Sequence, residues 1–281
     1  MISIIIPVLN EADNIGKLLH HINQNTLASN ISEIIIVDGG STDGTLQIIS
    51  DFVASRDSDQ REASYGEKNK IVLDTKFQKR NFTRTDVQQS SDLSNPKTSS
   101  ASQIQPKIVL VNSEKGRAKQ MNLGAKHAKG SILYFLHADS FPPKNFDQLI
   151  INEVNKGNKA GCFRMQFDSK HWWLRLASWL TQFSWRACRG GDQSQFITRT
   201  LFDDIGGYDE NYIIYEDNIL INELYARNQF VVINKKLKTS ARMYNKHGIW
   251  KVQYHFWTIY IKKMFGASAE ELQAYYKKSV C

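Results

Sequence analysis

Two β-branched, apolar runs each lead into an amphipathic helix, and that succession limits the possible folds more than any other feature of the chain. Ile2–Val8 is almost continuously apolar, and Ile15, Leu18, Leu19 and Ile22 follow at the i, i+3, i+4, i+7 spacing of one helix face. Residues 34–37 repeat the strand, residues 38–44 form a glycine-rich turn, and Leu46, Ile49 and Val53 mark a second helix. A strand with no polar alternation has both faces covered, as parallel strands between helices do. Consecutive βα units therefore predict an α/β fold with a mixed, mainly parallel sheet flanked by helices.

The chain continues this alternation around one interruption. Its 281 residues suffice for one compact domain with a long insertion. Between residues 55 and 106 Ser, Gln, Asp, Lys, Asn and Thr dominate and apolar residues are sparse, which predicts a disordered or loosely ordered insertion with a short strand at 71–73. Patterning resumes with strands at 108–111 and 132–137 around a helix at 117–129. Phe146, Leu149 and Ile150 mark a helix, and residues 162–167 alternate like a half-exposed strand. Trp172, Leu176, Trp179, Leu180 and Phe183 form a helical stripe of the kind that usually serves a core or an interface. A helix at 216–228, a strand at 230–233 and an aromatic-rich helix at 249–265 follow. The expected organisation is one domain over 1–248, interrupted at 55–106, and an amphipathic helical tail over 249–281.

A net charge of +8 suits an anionic partner: a nucleotide diphosphate, a phospholipid surface or nucleic acid. Cys162, Cys188 and Cys281 are odd in number, far apart and without partners at zinc-finger spacing, so neither a disulfide framework nor structural zinc is expected. A reducing cytoplasm is the natural location. The N-terminal apolar run lacks the basic flank of a signal peptide, and no stretch reaches the roughly 18 apolar residues of a membrane span. Any membrane contact is expected from the surface.

Ligands of parallel α/β sheets bind beyond the carboxyl ends of strands, so polar residues directly after strands are the candidates. Pro7, Asn10 and Glu11 follow the first strand, Asp38 opens VDGGSTDGT, His137-Ala138-Asp139 ends another strand, and Glu216-Asp217 opens a helix. Gly39, Gly40 and Gly44 let the backbone turn and approach a ligand, and Asp38 can accept hydrogen bonds from a base or ribose. The simpler alternative is a tight βα turn with Asp43 near a helix N-terminus. Neither GxGxxG nor GxxxxGK[ST] is present, which argues against a dinucleotide fold or a P-loop. Asp139 ends a very apolar strand, where a carboxylate is costly unless a cation receives it. Mg²⁺ or Mn²⁺ would do so, taking one or two carboxylates with diphosphate oxygens and waters; capping the next helix is the alternative. Asp217 lies where a helix dipole favours an ionised carboxylate and suits a general base, unless the pair merely decorates a first turn.

Together these segments resemble the family 2 glycosyltransferases of the GT-A fold, whose sheet is a Rossmann-like nucleotide binder. SIIIPVLNEADNI is similar to the family's opening strand and helix, IIIVDGGSTDGT to its nucleotide-binding turn, and GRAKQMNLGAKHAKG to its mid-domain helix. LYFLHADS resembles the metal-binding DxD region, and GGYDENYIIYED the segment that ends in the catalytic Glu-Asp. FLHAD, GRAKQMN and GGDQSQF most resemble the group called transferase 2, rSAM/selenodomain-associated. The resemblance implies nucleotide-sugar contacts from Pro7, Asn10, Glu11, Asp38, Arg117, Asn122 and Ala138, a metal on Asp139, and Asp217 as base beside Glu216.

The first acid of DxD is His137 here. Asp139 then coordinates alone or with His247, whose place in RMYNKHG resembles a C-terminal metal histidine of some GT-A enzymes; a surface histidine is the alternative. The implied reaction moves one sugar, with inversion, from a UDP- or GDP-sugar to an acceptor hydroxyl, with Mn²⁺ or Mg²⁺ as cofactor. The QxxRW motif and membrane spans of processive synthases are absent from the sequence. A lipid is one expectation for the acceptor, and nucleic acid is not expected as a partner. Two other readings remain at this stage: a nucleotidyltransferase, whose glycine-rich Arg/Lys loop is missing near the N-terminus, and a non-catalytic nucleotide-sugar-binding paralogue, favoured by His137 and opposed by Asp139 and Glu216-Asp217.

The tail also has two readings. Trp250, Tyr254, Trp257, Tyr260, Lys262 and Lys263 would seat it peripherally on the inner face of the cell membrane. Alternatively, Ile249, Val252, Phe256 and Ile259 pack on the domain and leave the lysines in water, which is the arrangement expected. Sugar and base specificity is expected in loops such as 189–195.

Overall fold

A computed structural model describes residues 1–63 and 105–279. The two βα units form: β1 (Ile2–Val8) leads into α1 (Ala12–Asn25), and β2 (Ile31–Asp38) into α2 (Thr45–Ala63). β3 (Lys107–Asn112), α3 (Arg117–His127) and β4 (Ile132–Phe135) follow, and β1 to β4 pair parallel. The second half adds β5 (Ser140–Phe141), α4 (Phe146–Asn155), β6 (Ala160–Phe167), α5 (Trp172–Leu180), β7 (Gln195–Thr198), α6 (Arg199–Ile205), α7 (Glu216–Ala226) and β8 (Phe230–Thr239). Helices α8 (Arg242–His247), α9 (Ile249–Met264) and α10 (Ala269–Ser279) close the described chain. The eight strands run in the order β3-β2-β1-β4-β7-β6-β8-β5, with β7 antiparallel to both neighbours and β5 antiparallel to β8.

β1 shows how an unalternating sequence is sorted by an alternating backbone. Ile2, Ile4, Ile6 and Val8 join one core with Ile15, Leu18, Leu19 and Ile22 of α1, while Ile5 joins the opposite core with Met121 and Ala125 of α3. Fully burying each such Ile or Leu contributes about 1.5–3 kcal/mol, so the α1 face alone secures that helix. Pro7 sits in this central strand without cost. Ile5 accepts a bond from Leu136 N on the β4 side, and Pro7, two residues on, faces the same side. β4 ends at Phe135, opposite Ile5, so the N–H that proline lacks has no strand to meet.

Several elements differ from the sequence pattern. α2 runs through residue 55 to Ala63, and the expected strand at 71–73 lies outside the described residues. β6 begins two residues before the expected strand, at Ala160; from Phe163 its burial alternates as expected, with Arg164 and Gln166 partly exposed, and Thr181 and Ser178 accept its Met165 and Phe167 amides at 2.9 and 3.1 Å along the edge that β7 leaves free. β8 continues past residue 233 to Thr239, through the exposed lysines at 235 and 236 that hid it. The Trp172 stripe is largely exposed; Leu174 and Ser178 are the buried residues of α5.

Candidate active site

The loops after β1 and β2 are tied together residue by residue. Asn10, at φ 56°, accepts the Thr42 amide at 2.8 Å and gives its own amide to Ser41 Oγ at 2.9 Å. The Glu11 amide donates to Thr45 Oγ1, and the Ala12 amide to Asp43. Asp38 is 3% exposed, and its carboxylate accepts the amides of Gly40 and Ser41 at 3.0 and 3.1 Å. Gly40 and Gly44 adopt φ of 95° and 90°, which glycine alone enters freely. Asp38 thus shapes the turn that it opens.

Gln120, which the sequence pattern did not single out, joins these strand ends. Its buried amide donates to the carbonyls of Val8 and Val37, both at 2.8 Å. Gly39 packs against that amide, where an added Cβ would meet it at 3.1 Å. Asn122 is held away from these loops: its amide nitrogen donates to Tyr208 O and Glu210, and its oxygen accepts the Tyr208 amide. Ala138 is buried in the core below the site.

Across from the loops lies a cluster of carboxylates. Tyr215, in the left-handed region at φ 78°, turns the chain into α7, placing Glu216 and Asp217 in its first turn. Arg117, the first residue of α3, reaches across: Nη1 is 3.1 Å from Glu216 Oε1 and 3.5 Å from Asp217 Oδ2. Burial pushes Glu216 up to about 7, Arg117 pulls it down and Asp217 pushes it up again. Burial likewise raises Asp217 against the pull of Arg117. Carboxyl pKa values shifted by burial beside a cation mark candidate functional groups.

Asp139 lies on the other side of this cluster. Burial raises its pKa, His137 opposes that and Asp192 adds to it. Arg242 Nη2 is 3.8 Å from Asp139 and bonded to Glu11, so Glu11 and Asp139 share one cation. His137, hydrogen-bonded to the Gly191 backbone, is pushed down to about 4 by burial and by Arg117. It is therefore neutral at neutral pH, the form that ligates metals. His247 closes α8 at the end opposite Arg242, about 7.5 Å of helix rise away. Among the described residues no group of three or more His, Cys, Asp or Glu is gathered as a metal cage. A partly buried carboxylate short of positive charge beside a neutral imidazole still fits Mg²⁺ or Mn²⁺, which draw most of their shell from phosphates and water.

The sequence profile described as Glycosyl transferase family 2 matches residues 3–70 and 89–209, more than half of the chain. The chain belongs to glycosyl transferase family 2. The chain is also 38% identical over 74 residues to Glycosyltransferase AglE of Haloferax volcanii, a match covering 24% of each protein. Its fold resembles S. aureus TarS 1-349 crystallised with UDP-GlcNAc, at TM-score 0.55 and 15% identity over 85% of this chain and 58% of that one. It also resembles the mannosyltransferase PcManGT of Pyrobaculum calidifontis in complex with GDP-Man and Mn²⁺, at TM-score 0.59 and 14% identity over 98% of this chain and 69% of that one. The chain thus spans under two thirds of the AglE and TarS lengths, and the structural likenesses establish the GT-A fold.

Beyond the expected residues, the fold places two charged groups at the centre. Asp192 raises Asp139 and is itself raised by burial and by Asp217, with Arg117 opposing. Arg242 bridges Glu11 and Asp139. GGDQ in a polar loop was the available signal for Asp192; Arg242 gave none, because only folding brings residue 242 to residue 11. Tyr208 Oη and both Gln195 amide atoms are buried without a hydrogen-bond partner among the described residues. Tyr208 also interacts electrostatically with Asp217 and Glu216.

Proposed function

We propose that this enzyme transfers a single sugar, with inversion, from a nucleotide-diphosphate sugar to an acceptor hydroxyl, using Asp217 as general base. The observation that carries the reading is the Arg117–Glu216–Asp217 constellation at the start of α7. Asp217 is the more accessible acid of the pair, with 10% of its side chain exposed against 1% for Glu216, so it is the one that meets an acceptor. As it takes the acceptor proton, the oxygen attacks the anomeric carbon from the face opposite the leaving diphosphate. Arg117 keeps the base ionised before transfer and adds positive charge on the donor side.

The loops after β1 and β2, with Pro7, Asn10, Glu11 and Asp38, hold the nucleotide. UDP and GDP are the nucleotides of the structurally similar TarS and PcManGT complexes, which supports either as donor. Asp139, with His247 as a further ligand, would hold a divalent cation, which supplies neutralising charge to the diphosphate when bound. Arg242, 3.8 Å from Asp139 Oδ2, would then compete with the cation for this carboxylate.

The test is donor hydrolysis and transfer assayed with Mn²⁺ across UDP- and GDP-sugars. Wild type releases nucleoside diphosphate from one class, and Asp217→Asn still binds the donor but loses turnover. Full turnover by Asp217→Asn removes the base assignment.

A further inference from the structure

α5 and α9 lie side by side and turn a continuous aromatic surface outward. Trp173 joins them: its indole N–H donates to Gln253 Oε1 at 3.1 Å, and its ring lies 5.4 Å from Trp250 and 5.9 Å from Trp257. α9 is apolar on two opposite faces. Val252 and Ile259 pack inward at 1% exposure, while Trp250, Tyr254, Trp257, Ile261 and Met264 recur at i, i+4, i+7, i+11, i+14 and stand 47–76% exposed. Trp172, Leu176 and Trp179 repeat the pattern on α5, and Trp185 extends it. Of the tail residues expected to pack, Val252 and Ile259 are buried and Ile249 and Phe256 partly so, and the aromatics are left over. A second apolar stripe on a helix already seated in its core needs a second apolar phase.

Charge says which phase. Residues 169–191 hold Lys170, Arg175 and Arg186, besides Arg189, which is buried and bonded inside the protein, and no Asp or Glu. Residues 241–269 hold Lys246, Lys251, Lys262 and Lys263, besides the Arg242 that turns to Glu11, and again no acid, although 28 of the 281 residues are acidic. Protein interfaces deplete lysine along with the acids, whereas this face keeps its lysines. Indole rings and cations together, without anions, are what the headgroup layer of an anionic bilayer takes. No described helix is long and apolar enough to cross a membrane.

We propose that α5 and α9 form a peripheral docking face that seats the protein on an anionic lipid surface. The face is coupled to the site. The Tyr260 hydroxyl of α9 lies 3.4 Å from Asn218 Oδ1, and its ring meets Tyr215 at 5.2 Å, both at the start of α7. Glu216 and Asp217 therefore lie about one helix diameter, roughly 10 Å, from the lipid headgroups. Resting on the transferase reading, this makes the acceptor a molecule presented at the membrane surface.

The full chain is sedimented with vesicles of phosphatidylcholine alone or mixed with phosphatidylglycerol, at low and high salt. Binding to the mixed vesicles that weakens with salt is expected. Ile261→Ser/Met264→Ser/Phe265→Ser should lower partitioning at least about tenfold at unchanged Tm, and Trp179→Ser on α5 should lower it too. Absence of vesicle binding, equal binding by the variants, or a wild-type dimer that the serines split would overturn the proposal. Donor hydrolysis without vesicles is read on the same proteins. Its loss in wild type with vesicle binding intact counts against the transferase reading alone.

Discussion

Gly191 is the surface against which Asp217 rests: a Cβ added at Gly191 would fall 2.0 Å from Asp217 Oδ2. No side chain relaxes around such an approach without moving the carboxylate. Gly191→Ala is therefore expected to reduce kcat by about 100-fold, the effect of an ångström-scale displacement of a reacting group. The stability cost should stay within the roughly 1–3 kcal/mol of an overpacked site. Steady-state kinetics beside thermal unfolding check this; unchanged kcat would show that Asp217 is not positioned by this contact.

Arg117 lowers the pKa of both Glu216 and Asp217, against burial that raises them. The base works deprotonated, so the acid limb of kcat/KM against pH reports the apparent pKa of this coupled pair. Removing the cation lets burial prevail. Arg117→Gln should move the limb about 1–3 pH units upward, the usual effect of an opposite charge within a few ångströms. A limb that stays in place would detach these carboxylates from catalysis.

Glu216 carries a stability consequence of opposite sign to that of most carboxylates. Its folded pKa is about 7 against an ordinary 4.5. Between those values the folded protein keeps a proton that the unfolded chain has lost, so stability falls as pH rises through that window and stays lower above it. Glu216→Gln removes this titration. Its Tm relative to wild type should rise between pH 5 and pH 8, by several degrees for a difference on the order of 1–3 kcal/mol. Calorimetry at the two pH values measures it; a Tm difference independent of pH would show that Glu216 is ionised throughout.

The parts of this site that were legible in the sequence are those fixed by local patterning. Asp38 ends an apolar strand, Asp139 lies in the turn between β4, which stops at Phe135, and β5, and Glu216-Asp217 stand at a helix start, so each could be placed from its immediate neighbours. Asp192, Arg242 and Gln120 could not. Each acts on residues distant in the chain, Asp192 on Asp139, Arg242 on Glu11 and Gln120 on Val8, and their types occur equally well on a solvated surface. β5 and β7 were illegible for a related reason: two and four residues carry too little period to register. The α9 aromatics show a different limit. Their period was plain, but two apolar faces on one helix do not say which of them is the core until Val252 and Ile259 are seen buried.

The metal reading makes the last prediction. If Asp139 anchors the cation, Mn²⁺ and a nucleoside diphosphate together should raise the wild-type Tm, since a ligand at 100 times its Kd adds about 2.7 kcal/mol. Asp217→Asn should keep that shift, because the base touches acceptor rather than diphosphate. Asp139→Asn should lose the Mn²⁺-dependent part. His247→Ala should need severalfold more Mn²⁺ for half the effect, because His247 starts from the far end of α8 and adds to a shell that Asp139 begins. Arg242→Met should need less Mn²⁺ than wild type, because the guanidinium 3.8 Å from Asp139 competes for the same carboxylate. Equal Mn²⁺ response in wild type and Asp139→Asn would move the cation away from this aspartate.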